Sequence, residues 1–127
     1  MPELPEVETT RRGVAPLVTG RRVARLIVRD ARLRWPVASD LDAHLRGERL
    51  EGVDRRGKYL LLRFAQGCLI VHLGMSGSLR VLDANTPPAP HDHIDLVFDN
   101  HQTLRLRDPR RFGAVIWSAD PTNHPLL

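Results

Sequence analysis

Lysine is almost absent from this sequence. Of nineteen basic residues, only Lys58 is a lysine and the rest are arginines. Arginine stays charged and offers a planar donor fork to phosphate, but it neither shuttles protons nor forms imines readily. The one lysine therefore invites the guess that it does proton chemistry, unless a GC-rich coding bias left it by accident. Cysteine is equally scarce. The single Cys68 excludes an internal disulfide and a cysteine-rich zinc site. Its place in CLIVHL marks it as a small core residue. No apolar run approaches ~20 residues, and the chain starts acidic, so no membrane span or secretory signal is expected. The expected location is cytoplasmic. Repeats and low-complexity tracts are missing too. The last residues, PTNHPLL, carry no cap or polar tail and read as a chain cut at a linker.

What is present suits one domain of 127 residues with a real core. The net charge of +4 fits nucleic acid or another anionic surface, although a charge of that size is weak support alone. Pro5 suits the first turn of a helix, and Glu6 and Glu8 suit its positive end. Val7, Val14 and Leu17 or Val18 give that helix an apolar stripe, with Gly13 and Pro16 weakening its far end. RRVARLIVRD reads as a strand. ASDLDAHLRG reads as a second short helix capped by Ser39 or Asp40. RLEGVD, KYLLLRF, CLIVHLGM, SLRVLD, HIDLVFD, TLRLRD and AVIWS follow as short strands, and ANTPPAPHDH is the most loop-like stretch. The fold class expected is mainly β, within α+β: a two-sheet antiparallel β-sandwich flanked by the two helices.

Several residues could carry chemistry. An initiator Met before proline is normally trimmed, which would leave Pro2 as the first residue with a secondary amine. Such an α-amino group titrates near ~8, against ~10.4 for lysine, so part of it is nucleophilic at neutral pH. Attack on a sugar C1′ would give a covalent iminium. Glu3 beside it could move a proton, or be a helix-end charge like Glu6 and Glu8. Lys58, where RRG turns into YLLL, could act as an acid, touch phosphate, or be a solvated strand-end lysine. In HLGMSGSLR, the GMSG turn either presents Met75 as a wedge between bases or leaves it in the core beside a hairpin, with His72 close by. In DPRRFG, Arg110, Arg111 and Phe112 offer phosphate contacts and a stacking ring, or form an ordinary turn anchored by its Phe. His91 and His93 of HDH would share one strand face with Asp92 opposite, but no third ligand is near and no metal is expected.

Taken in order, MPELPEVETTRRG, RLRWPV, RRGKYLLL, HLGMSGSLR, HDHIDLVF and DPRRFGAVIW resemble the amino-terminal domain of bacterial formamidopyrimidine-DNA glycosylase over nearly the whole chain. PELPEVET favours that group over its sister endonuclease VIII group, which usually opens on a PEGPE-like start. The resemblance implies base-excision repair: removal of 8-oxoguanine and formamidopyrimidines from DNA, then strand cleavage at the abasic site. It implies Pro2 as the nucleophile, Glu3 as the proton donor, and Lys58 as the proton donor for β-elimination. Glu6 would hold the helix and active site together. Met75, Arg110 and Phe112 would fill the gap left by the flipped nucleotide; His91 and Arg110 would contact DNA, and His72 a phosphate. The implied partner is double-stranded DNA with oxidised purines or abasic sites, bound by a monomer. The family's helix–two-turn–helix module and four-cysteine zinc finger are absent from residues 1–127, so no cofactor is expected in this chain and the zinc ion would belong to the missing finger. Excision by the chain alone is expected to be weak or absent. The alternative is a damaged-DNA-binding fragment without turnover.

Overall fold

The structure is a computed structural model that describes residues 4–121 and 124–127. It begins with helix α1, Leu4–Val18. Pro5 lies in the first turn, where its missing N–H leaves no intrahelical bond unmade. Val7, Val14 and Val18 form the buried stripe, while Leu17 stays half exposed. The helix continues past Gly13 and Pro16 because the completely buried Val18 anchors its last turn.

Strand β1, Val23–Val28, follows, then helix α2, Leu41–Leu45, which buries its two leucines. Asp40 occupies the cap position of α2, but its side chain makes no capping hydrogen bond. Its backbone, at φ −93° and ψ 4°, is nearly helical and not extended as a capping residue requires. The carboxylate lies 3.4 Å from His44 Nε2 instead.

Seven strands complete the chain: β2 Gly52–Arg56, β3 Tyr59–Phe64, β4 Gly67–His72, β5 Ser78–Asp83, β6 Asp92–Phe98, β7 Gln102–Arg107 and β8 Ala114–Ser118. They form two four-stranded antiparallel sheets, ordered β1-β6-β7-β5 and β2-β3-β4-β8. Helix α1 packs on β2, β3 and β5, and α2 on β1. The expected sandwich with two helices is the observed fold.

Alternation along the strands builds the core. Leu60, Leu62 and Phe64 of β3, Leu69 and Val71 of β4 and Val115 of β8 share the main cluster with Leu96, Leu104 and Leu106 of the other sheet. The opposite face of the second sheet carries a smaller cluster of Leu61, Cys68 and Ile70, with Tyr59, Ile116 and Leu127 against it. Cys68 is therefore a core residue, and burial pushes its thiol up to about 11.

Strand β6 is buried along its whole length, including Asp92, His93 and Asp95. Arg105 of β7 grips Asp95 with Nε and a terminal nitrogen, both at 2.9 Å, and Arg29 adds bonds at 2.9 and 3.1 Å. Burial alone would raise the Asp95 pKa, but these arginines hold it below the usual carboxylate range. Arg105 also donates to the Thr86 carbonyl at 2.8 Å, which fastens the proline-rich loop before β6.

The expected face-sharing of His91 and His93 is corrected here. His91 precedes β6 at φ 72° and is exposed, whereas His93 is buried. A register shift between Asp92 and Ile94 inserts one extra residue and breaks the alternation. Asp92 also turns inward, accepting the Ala89 N–H at 2.8 Å. No helix among the described residues is long and apolar enough to cross a membrane.

Candidate nucleic-acid interface

One end of the sandwich gathers most of the residues singled out in the sequence. Tyr59 opens β3 and pairs with His72 at the close of β4, which pairs with Ala114 at the start of β8. Three connections therefore emerge side by side: the Gly57–Lys58 turn, residues 73–77, and residues 108–113. Ser78 and Asp92 both pair with Arg107, so His91 stands at this end too. Helix α1 runs away from it, with its first turns nearest, because Glu8 meets Arg55 at 3.1 Å near the turn and Arg11 reaches the Val53 carbonyl at 3.4 Å farther back. Lys58 is half-buried there. Pro2 and Glu3 lie outside the described residues.

The two longer connections present their side chains outward. Met75 and Phe112 are 47% and 44% exposed, which removes the reading of either as a core anchor. The Arg110 guanidinium lies 5.5 Å from the Phe112 ring centroid. Together with Arg34, His72 and Gly74, Met75 and Phe112 line a cavity of about 470 Å³. Beside it, Trp35 is 40% exposed and carries the Arg34 guanidinium 4.9 Å above its ring.

Both connections are rigidly built. The Gly74 N–H donates to His72 Nδ1 at 3.0 Å, and the Gly77 N–H to the Leu73 carbonyl at 2.8 Å. An accepting Nδ1 places the His72 proton on Nε2. Burial first, then the charges of Arg34 and Lys58, hold the His72 pKa below its ordinary value, so the ring is neutral at neutral pH.

Asp108, completely buried, anchors the second connection. Its carboxylate accepts the Gly113 N–H at 2.8 Å, the Arg111 N–H at 3.1 Å and the Ser76 hydroxyl at 3.0 Å. Arg111, at φ 60°, points away from Arg110 and Phe112 and reaches Asp30 at 2.7 Å and the Arg32 carbonyl at 3.1 Å. The Arg34 N–H donates to the Gly113 carbonyl at 3.1 Å, which draws RLRWPV against DPRRFG. Hydrogen bonds from Arg32 and then Arg111 hold Asp30 well below the usual carboxylate range.

The sequence missed Asp108, Ser76, Asp30 and Arg34. A lone Asp before Pro signals only a turn, and Ser76 lies 32 residues from Asp108. A second hollow, about 560 Å³, lies beside Glu8, Arg11, Asp54, Arg55 and Arg56. Glu8 there already binds Arg11, Arg12 and Arg55. No group of three or more potential metal ligands occurs among the described residues.

The comparisons with known proteins agree on one family. The model of the formamidopyrimidine-DNA glycosylase N-terminal domain matches residues 1–115. Formamidopyrimidine-DNA glycosylase of Stutzerimonas stutzeri is 61% identical over all 127 residues, which are 47% of its length. That of Methylococcus capsulatus is 61% identical over 128 residues, again 47% of its length. The chain thus spans about half the length of the curated relatives it matches. Among solved structures, Lactococcus lactis formamidopyrimidine-DNA glycosylase non-covalently bound to DNA containing an AP site is 32% identical. Its TM-score is 0.83, with 91% of this chain and 45% of that chain covered. The Lactococcus lactis protein in complex with DNA containing FAPY-dG is also 32% identical, with TM-score 0.82 over 92% of this chain and 44% of the other.

Proposed function

The chain belongs to the formamidopyrimidine-DNA glycosylase family, and on that footing we propose that it contributes the catalytic half of a base-excision repair enzyme. The substrate is double-stranded DNA carrying 8-oxoguanine, formamidopyrimidines or an abasic site. The observation that carries this reading is the clustering of Lys58, His72, Met75, Arg110 and Phe112 at one end of the sandwich.

The Pro2 nitrogen attacks C1′ of the damaged nucleotide. The bond from C1′ to the base breaks, and the base leaves with a proton from Glu3. The C1′–O4′ bond then breaks: the Glu3 carboxylate takes the proton from the Pro2 nitrogen and passes it to O4′, which becomes a hydroxyl, and an iminium forms on Pro2 whose positive charge makes the C2′ hydrogen acidic. Loss of that hydrogen as a proton to water expels the 3′ phosphate by β-elimination, and Lys58 donates a proton to the departing phosphate oxygen. Proline suits these steps because its amine is partly unprotonated at neutral pH and the iminium of a secondary amine carries a fixed positive charge that needs no added proton. Glu6 holds the start of α1 to the active site. Met75 and Phe112 enter the gap left by the flipped nucleotide and offset part of the few kcal/mol that flipping costs. Arg110 faces the orphaned base, while His91 and the Nε2–H of His72 contact the backbone.

The family's four-cysteine zinc site does not fit residues 1–127, whose one cysteine is buried in β4. No step here runs through metal. The site of action is the bacterial cytoplasm, at the nucleoid, and the protein acts as a monomer.

Borohydride trapping on a duplex with one abasic site, followed by mass mapping, tests the reading. A covalent adduct at Pro2 is expected. An adduct at Lys58 would overturn the assignment of the nucleophile. No adduct, with Met1 shown to be absent, would leave a damaged-DNA-binding fragment without turnover.

A further inference from the structure

Met75 and Phe112 sit on separate connections, yet a wedge must enter DNA as one rigid body. One buried side chain joins them. Asp108 Oδ1 accepts the Ser76 hydroxyl at 3.0 Å and the Arg111 N–H at 3.1 Å, while Oδ2 accepts the Gly113 N–H at 2.8 Å. The Arg110 N–H in turn donates to Ser76 Oγ at 3.1 Å. These partners immediately follow Met75 and bracket Phe112. The Asp108 backbone extends the link: its N–H donates to the His91 carbonyl at 3.0 Å, and its carbonyl lies 3.0 Å from His93 Nε2. Three DNA-facing segments thus converge on a residue with no solvent exposure.

We infer that Asp108 is the positioning residue of the wedge: its carboxylate locks the Met75 and Arg110–Phe112 connections into one unit that distinguishes a gapped duplex from an intact one. The inference rests on the proposed wedge role of Met75, Arg110 and Phe112. The chemistry of Asp108 suits the task. Every group aimed at its two oxygens is a donor, so a carboxylate satisfies them all. An amide of the same shape has one oxygen and an NH2 group. Either way round, that NH2 meets a backbone N–H, that of Arg111 or that of Gly113, and a bond holding the Arg110–Phe112 connection is lost. Asp108 itself stays out of reach of DNA and acts only through the loops.

The test compares binding of this chain to a duplex with a tetrahydrofuran abasic analogue and to the same duplex intact. A 2-aminopurine opposite the gap reports insertion by its fluorescence. Asp108→Asn is expected to lower the preference for the gapped duplex about tenfold, with affinity for intact duplex kept within about twofold. The 2-aminopurine signal falls with it. In a Phe112→Ala background, Asp108→Asn should remove little further preference, because no ring remains to be placed. A merely structural role would instead lower both affinities together and add fully to Phe112→Ala, which would overturn the assignment. If Asp108→Asn does not fold, Ser76→Ala decides, since it cuts only the link between the two connections. A loss of preference supports the inference, and an unchanged one overturns it. If the unaltered chain shows no preference for the gap, the wedge reading falls and the assignment falls with it. If it shows the preference and Asp108→Asn keeps it, the assignment alone falls.

Discussion

Gly74 and Phe112 meet backbone to backbone: a Cβ on Gly74 would lie 2.6 Å from the Phe112 carbonyl carbon and 2.9 Å from its oxygen. Gly74 also holds φ 63°, in the left-handed region. Gly74→Ala therefore costs about 1–2 kcal/mol for the backbone conformation alone, and the clash adds to it. Urea unfolding should show a loss at or above that figure. Binding to abasic-site DNA should weaken with it, because the two connections are pushed apart. Unchanged stability would mean that they are not in register as described.

Arg105 gives a stability prediction remote from the interface. Its side chain and that of Asp95 are each 1% exposed. Arg105→Ala leaves the buried Asp95 with Arg29 as its ion-pair partner and removes the bond to the Thr86 carbonyl. Leaving a buried charge with no partner costs about 3–5 kcal/mol, and with Arg29 still bonded to Asp95 the loss should fall below that range. Denaturant unfolding checks the size of the loss. Limited proteolysis should find new cleavage in the proline-rich loop of residues 84–91, which Arg105 fastens.

His72 predicts a pH dependence. In the fold its pKa lies below the ordinary 6.5. The unfolded chain thus binds more protons at this position, and stability rises with pH across the interval between the two values. The contribution is complete above about pH 6.5. It is lost as the pH falls from there towards the folded value, where protonation ends acceptance of the Gly74 N–H. His72→Asn keeps an acceptor oxygen but does not titrate. Melting temperatures measured from neutral pH downward should therefore fall less steeply in the variant. Parallel curves would show that His72 does not carry the dependence.

The strands were legible because short runs bounded by turn residues are a local signal: SLRVLD and AVIWS coincide with β5 and β8. The presented loops were legible for a similar reason, since glycines beside Met75 and the DPRRFG run signal turns within a few residues. What lies between them was not. Asp108 meets Ser76, Asp30 meets Arg111 and Arg34 meets Gly113 across long stretches of chain, and no periodicity records such pairings. HDH misled because a register shift at His93 breaks the alternation that a regular strand would impose. Asp40 fits a capping pattern by type, yet its ψ of 4° turns the carboxylate elsewhere. Pro2 and Glu3 rest on the motif and the family alone.

Phe112 separates binding from stability most cleanly. Its ring is 44% exposed, and its place is set by backbone bonds on either side of it: Arg111 N–H and Gly113 N–H, both to the Asp108 carboxylate. Those bonds survive Phe112→Ala, so unfolding free energy should stay within about 0.5 kcal/mol. Affinity for an abasic-site duplex should fall by about 1–3 kcal/mol, the usual worth of one base stacked on an aromatic ring. Arg110→Ala should also weaken binding without changing its salt dependence, because the guanidinium faces the orphaned base. Loss of a cation at a phosphate would lower the slope of log affinity against log salt by about 0.9, whereas loss of a base-edge contact or of the ring leaves that slope alone. Anisotropy titrations at several salt concentrations read both quantities. A slope lowered by about 0.9 for Arg110→Ala would place its guanidinium on the backbone and not on the orphaned base, and equal affinity for Phe112→Ala would remove the ring from the interface.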